Sequence, residues 1–180
     1  MCIRDSYGGM PKLNLKNPEV EKYITDVACY WIKECDIDGW RLDVGDEISH
    51  FFWKNFRKAI KAVKKDMLII GEIWHYAGDF LEGDEWDTVM NYDAFMEPIT
   101  WFLCGVEKHS DEFRGDLLGN YDAFKGAMNY HMSRFLRPSI DVSMNELSNH
   151  DHSRFLTRTN RKVGRLHTMG ADAADQGVDK

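Results

Sequence analysis

Apolar side chains along this chain recur at two spacings, and each spacing predicts a different element. Between Asn17 and Cys35 the residues Val20, Tyr23, Ile24, Val27, Ala28, Trp31 and Ile32 fall at helical intervals, which places them on one buried stripe of a helix. Asn17-Pro18-Glu19 opens it. The Asn side chain accepts from the first unpaired N–H groups, Pro suits the first turn, and Glu19 and Glu21 favour the positive end of the helix. A second helix, from about Phe51 to Lys65, turns Phe52, Phe56, Ala59, Ile60 and Val63 inward. Between these helices the run Gly39 to Val44 is short, aromatic and β-branched, and it comes after an acidic turn at Asp36 and Asp38, so it reads as a strand. Met67 to Ile73 is almost continuously apolar, the pattern of a strand buried on both faces of a parallel sheet. Strand, helix and strand within about 35 residues make a βαβ unit.

The alternation continues beyond an acidic, Gly-containing loop. Thr88 to Asn91 reads as a short strand, Ala94 to Cys104 as apolar helix, and Tyr121 to Phe135 as a helix carrying Tyr121, Phe124, Met128, Met132 and Phe135. Val142 to Leu147 is a further strand candidate that ends in Ser148-Asn-His-Asp151. Four strands alternating with helices predict an α/β architecture. Neither GxGxxG nor GxxxxGK[ST] is present, so neither common phosphate loop is supported.

Composition excludes several partner classes. The chain has 180 residues with 23 basic and 30 acidic side chains, a net charge of −7, and its Lys and Arg are dispersed. Nucleic-acid binders concentrate positive charge on one face, so neither nucleic acid nor an anionic membrane is expected as a partner. No apolar run approaches the roughly 20 residues of a spanning helix. Cys2, Cys29, Cys35 and Cys104 lack CxxC spacing and read as reduced thiols of a cytoplasmic protein. Met1 to Ser6 has no apolar stretch and fits poorly with the sequence from Tyr7 onward, so residues 1–6 are read as a non-native lead and 7–180 as the protein proper.

Polar residues interrupt the strands at one recurring place. Arg41 and Asp43 stand at the end of the first strand, Glu72 closes the second, and His150-Asp151 comes just after the last. In a parallel α/β barrel the C-terminal ends of all strands open on one face, and buried acids without a role are costly. Glycoside hydrolysis uses several carboxyl groups and no nucleotide loop: one protonates the leaving oxygen, and a second attacks the anomeric carbon or activates water. Arg41, two residues before Asp43, shares its side of the strand, and its charge favours an ionised, nucleophilic Asp43.

Asp38-Gly-Trp-Arg-Leu-Asp-Val44, Gly71-Glu-Ile-Trp74 and Ser148-Asn-His-Asp151 resemble, in order, three conserved regions of the α-amylase family of glycoside hydrolases. Met10-Pro-Lys-Leu-Asn14 resembles a further region in the form typical of the neopullulanase, cyclomaltodextrinase and maltogenic amylase subgroup. The resemblance implies a partial (β/α)8 barrel, about strands four to seven with their helices, truncated at both ends. It implies a retaining hydrolase of cyclodextrins, pullulan or maltooligosaccharides. Asp43 would be the nucleophile, Glu72 the acid and base, and Asp151 the stabiliser of the transition state. His150 would bind the sugar, Arg41 would orient Asp43, and Trp74 and Glu47 would shape the acceptor side. Where the family has Ala-Asn-Glu after the nucleophile strand, this chain has Gly45-Asp46-Glu47, which leaves the balance of hydrolysis and transglycosylation open. No cofactor is implied for this chain. Calcium sites in the family commonly use segments absent from it, which leaves calcium open for the full-length protein, and subgroup members often dimerise through a domain absent here.

Other readings compete at single residues. An oligo-1,6-glucosidase-like enzyme and a non-catalytic barrel homologue are the alternatives; the retained acids argue against the second. His150-Asp-His152 admits a metal cluster, but two His without further ligands nearby is a weak pattern. Residues 79–97 carry seven acids and no base, which reads as a solvated loop ahead of a calcium site. Trp40, Trp74, Tyr76 and Trp86 offer rings to a sugar, though aromatics in barrels mostly fill core. Lys12 and Asn14 either touch substrate or hold their loop.

Overall fold

The computed structural model describes residues 3–5 and 11–163. Cys2, Met10 and the polar tail from Ala171 lie outside the described residues. The chain divides into two compact units, Met1–Ile73 with Asp79–Val89, and Trp74–Gly78 with Met90–Lys180.

In the first unit, β1 (Ile3–Asp5) pairs antiparallel with β2 (Pro11–Leu13), so part of the segment read as a foreign lead is backbone-paired. Helix α1 (Pro18–Cys35) begins as its sequence requires: the Asn17 side chain accepts from the Glu19 N–H at 2.9 Å. It ends at Asp36, whose left-handed backbone lets its N–H reach Ile32 O. Strand β3 (Gly39–Leu42) comes next, then helix α2 (His50–Val63) capped by Ser49, and strand β4 (Leu68–Gly71). A short β5 (Thr88–Val89) completes a three-stranded parallel sheet in the order β3-β4-β5. The core of this unit is Ile32 and Ala28 from α1, Phe52, Trp53, Phe56 and Ile60 from α2, and Met67, Ile69 and Trp86.

The structure corrects two expectations about helix faces. On α1 only Ala28 and Ile32 are fully buried, while Tyr23 is 67% exposed and Val27, Tyr30 and Trp31 are also open to solvent. The apolar stripe is wider than the single neighbour that covers it, since α1 packs on α2 alone among the helices of this unit. On α2 Val63 is exposed at the C-terminal end, and Trp53 takes an inward place that the periodicity does not assign.

The second unit holds the helical material. A single π-turn (Tyr92–Met96) runs into α3 (Glu97–Cys104), and α4 (Tyr121–Met132), α5 (Arg137–Asp141) and α6 (Phe155–Arg158) come after it. Helix α4 is capped by Asn120 and packs against α3, with Phe102 and Phe124 stacked at 4.8 Å, yet none of its residues is fully buried. The strand expected over 142–147 is reduced to one parallel bridge, Met144 with Met90. Val142, Met144 and Leu147 are all exposed, so β-branched composition without burial on either face does not sustain a strand. Arg158 is wholly buried, donating to Thr100 Oγ1 at 2.6 Å and to the Leu147 carbonyl.

The acidic loop is explained by bases from neighbouring elements. Asp84 pairs with Lys54 at 2.7 Å, and Asp87 bridges Arg57 at 2.7 Å and Lys61 at 2.9 Å. Within the second unit Glu97 pairs with Lys108 at 2.6 Å. Glu85 is buried, and both its oxygens lie 2.9 Å from His50 Nδ1. Burial pushes the Glu85 carboxyl above its ordinary value of 4.5, outweighing the opposing pull of His50 and Lys54.

This packing has two measurable consequences. In chemical denaturation of this chain, Ile32→Ala should cost about 2–5 kcal/mol, whereas Tyr23→Ser should stay within about 0.5 kcal/mol. The folded state holds the Glu85 proton more tightly than the unfolded state does. Its contribution to stability is therefore present below pH 4.5 and lost as pH rises through the raised value. Glu85→Gln should flatten the fall in stability above pH 4.5, which denaturant midpoints across pH would measure.

Candidate active site

Parallel pairing sets the first half of the site. In β3 and β4, Leu42 stands opposite Gly71, so the next residue on each strand, Asp43 and Glu72, emerges at the same end of the sheet. The ladder continues past the strands: the Glu72 N–H donates to Leu42 O at 2.9 Å, and the Gly45 N–H donates to Glu72 O at 3.1 Å. Arg41 lies between the two acids. Its Nη1 donates to Asp43 Oδ1, and its Nη2 is 3.1 Å from Glu72 Oε1.

The two carboxylates sit in unlike surroundings. The Glu72 side chain is 5% exposed and that of Asp43 is 72% exposed. Glu72 also accepts from the Val44 N–H, at 2.7 Å on Oε2. To deliver that N–H, Val44 adopts φ +46°, a left-handed conformation that costs a side chain with a Cβ roughly 1–2 kcal/mol. A β-branched residue there is a genuine outlier, and it stands immediately after Asp43. Glu47 forms an ion pair with Lys12, and Asn14 accepts from the Lys16 N–H at 3.1 Å, which holds its own turn.

Trp74, His150 and Asp151 belong to the second unit. Trp74 is 43% exposed. Its ring rests against two buried imidazoles, His109 at 5.2 Å and His152 at 5.4 Å, which are 4.7 Å from each other. Tyr92 meets His152 edge-on at 5.0 Å. Asn149 ties the group together: its Oδ1 lies 2.6 Å from His152 Nδ1 and accepts from the Asp151 N–H at 3.0 Å, while its Nδ2 donates to Tyr92 Oη at 2.8 Å. His150 Nε2 lies 3.3 Å from Asp151 Oδ2. His152 is packed among the rings of Trp74, Tyr92 and His109. Among the described residues no group of three or more His, Cys, Asp or Glu is placed to hold a metal ion.

The sequence reading names Arg41, Asp43, Glu47, Glu72, Trp74, His150 and Asp151 as site candidates and does not single out His109, Tyr92 or Asn149, which contact Trp74, Asp151 and His152. Asn149 lies inside the Ser148–Asp151 motif. His109 sits in the irregular turn after α3, where no periodicity marks a side chain as buried. Trp86, offered as a sugar platform, is fully buried and belongs to the core.

Two carboxyl groups thus share one guanidinium at adjacent C-terminal strand ends of a parallel sheet, the end at which the sites of parallel barrels open. The family model of the alpha amylase catalytic domain matches residues 3–174. The chain belongs to the α-amylase family of glycoside hydrolases, whose catalytic domain is a (β/α)8 barrel, and falls within its cyclomaltodextrinase, neopullulanase and maltogenic amylase group. It is 44% identical over 149 residues to the intracellular maltogenic amylase of Bacillus subtilis, covering 83% of this chain and 23% of that protein. It is 42% identical over 150 residues to neopullulanase 2 of Thermoactinomyces vulgaris, covering 82% of this chain and 23% of that one. A solved cyclomaltodextrinase superposes with a TM-score of 0.73 at 35% identity, over 86% of this chain and 25% of its own. The chain thus spans about a quarter of the length of the curated relatives it matches.

Replacing Asn149 by Ala strips the buried His152 and Tyr92 side chains of a partner at Nδ1 and Oη. Such losses cost about 1–3 kcal/mol, and equilibrium denaturation followed by Trp fluorescence should register a destabilisation of that size, with the Trp74 environment perturbed.

Proposed function

We propose that the protein containing this chain is a retaining glycoside hydrolase that cleaves α-1,4, and in some substrates α-1,6, glucosidic bonds of cyclodextrins, pullulan or maltooligosaccharides. The observation that carries this reading is the Arg41 guanidinium shared by an exposed Asp43 and a buried Glu72. An ionised carboxylate open to the cleft is suited to attack, and a shielded carboxyl group is suited to carry a proton.

In the first step Glu72 gives its proton to the glycosidic oxygen, the bond from C1 to that oxygen breaks, and an Asp43 oxygen bonds to C1. In the second step the Glu72 carboxylate takes a proton from water, the water oxygen bonds to C1, and the bond to Asp43 breaks. Two inversions at C1 return the original configuration. Arg41 orients Asp43 through their ion pair. Asp151 stabilises the oxocarbenium-like transition state through the sugar hydroxyls, His150 binds the sugar, and Trp74 and Glu47 shape the acceptor side. The half-exposed indole on its buried imidazoles supports a fixed sugar platform. These side chains supply the acid and the nucleophile without a cofactor.

The same reading places β3, β4 and β5 as the fourth to sixth strands of the barrel and the Met144 bridge at the seventh, within a catalytic domain that takes in residues 7–180. The full-length protein is cytoplasmic and acts on neutral glucans, and the net charge of −7 supports a neutral substrate over a polyanion.

The test is made on the full-length protein. Glu72→Gln should lower kcat by about 10²–10⁴-fold on maltooligosaccharides, and Asp43→Asn should abolish turnover. Proton NMR of the first product formed should show the α-anomer. Unchanged activity of Asp43→Asn, or a β-anomer as first product, would overturn the assignment. Activity confined to α-1,6 oligosaccharides would select the oligo-1,6-glucosidase reading.

A further inference from the structure

We infer that Trp86 is a positioning residue that sets the relation between Asp43 and Glu72, an inference that rests on the function proposed above. Its benzo ring is wedged under both strand ends. A Cβ added at Gly71, the residue before Glu72, would lie 2.1 Å from Trp86 Cε3, and one added at Gly45, two residues after Asp43, would lie 2.6 Å from Trp86 Cζ2. Both glycines are therefore needed to admit one flat ring, and that ring touches the backbone flanking each carboxylate.

The ring is itself fixed on its other sides. Phe80 stacks on it at 4.1 Å and 7°, and His50 stacks on Phe80 at 4.3 Å. Trp53 meets Trp86 edge-on at 6.1 Å and donates from Nε1 to the Gly45 carbonyl at 2.8 Å. The turn 43–45 is thus held from below by Trp86, from the side by Trp53, and from the neighbouring strand by Glu72 through the Val44 and Gly45 N–H groups. A strained backbone persists only where its surroundings over-determine it, and the Trp86 ring is one side chain packed against both strand ends. The Trp86 Nε1 is buried with no hydrogen-bond partner among the described residues. The residue therefore acts through the shape of its ring, with no polar contact to lose.

The test compares Trp86→Leu and Trp86→Phe in the full-length protein on two substrates, maltotriose and α-maltosyl fluoride. Fluoride leaves without a proton from Glu72, so a misplaced acid matters less for it. A displacement of about 1 Å costs up to 10²-fold. Trp86→Leu should lower kcat on maltotriose about 10- to 100-fold, with KM changed less than about threefold and a loss on the fluoride of less than about threefold. Trp86→Phe, which keeps a flat ring, should recover most of the maltotriose rate. Equal losses on both substrates, or a Trp86→Leu enzyme with wild-type kcat, would overturn the inference. Should Trp86→Leu fail to fold, Phe80→Leu loosens the ring from behind and should show the same split between substrates in weaker form; an even loss would count against the wedge. An inactive wild-type protein would overturn the glycosidase reading and this inference with it, whereas an active wild type with even losses overturns this inference alone.

Discussion

The first unit is organised around one cation between two acids. Arg41 serves Asp43 and Glu72 at once, so one guanidinium fork fixes where both side chains lie. The parallel register of β3 with β4 makes the arrangement available. Leu42 opposite Gly71 brings the next residues level, and a shift of one residue would turn Asp43 and Arg41 to the other face of the sheet. Burial of the Glu72 side chain is tolerable because two groups meet its oxygens, Arg41 and the Val44 N–H, while the ladder fixes its backbone.

The strain at Val44 belongs to the same arrangement. A glycine would enter the left-handed region without a steric cost, yet here a β-branched residue occupies it. The strain is confined to one residue, and on both sides the chain is tied to β4 by backbone hydrogen bonds. An unstrained turn would aim the Val44 N–H elsewhere and leave Glu72 Oε2 without that donor. Local backbone strain is thus exchanged for a fixed carboxylate, the pattern expected where side-chain geometry has to be held closely.

How much of this was legible in the sequence depends on how local each signal is. The start of α1 was readable because Asn17 and Glu19 act within one turn. The β3-α2-β4 unit was readable because continuous apolar runs and helical periodicity are strong signals over short windows. The Arg41–Asp43 pair came from strand alternation alone, and Glu72 from its place at the end of an apolar run. Burial was less legible, since periodicity says which face is apolar and not which part of it finds a neighbour. Tyr23 and Trp31 share the stripe of Ile32 but lie beyond the reach of α2. The segment 142–147 failed for the same reason, its apolar residues having no sheet face to cover. His109 and Trp86 depend on contacts across many residues of chain and leave no local trace.

The acidic stretch between 79 and 97 shows how a composition signal changes meaning once partners are known. Read alone it is seven negative charges without a counterion. In the first unit Lys54, Arg57 and Lys61 stand at successive turns of α2 and meet Asp84 and Asp87, so a basic helix face and an acidic loop neutralise each other. Surface pairs of this kind are worth little singly. Asp87, however, also accepts from the Ile69 N–H at 2.9 Å, which joins the pair network to β4 itself. The loop that carries Phe80 and Trp86 is thereby fastened to both α2 and the sheet, and charge on the outside holds in place the rings that lie beneath the carboxylates.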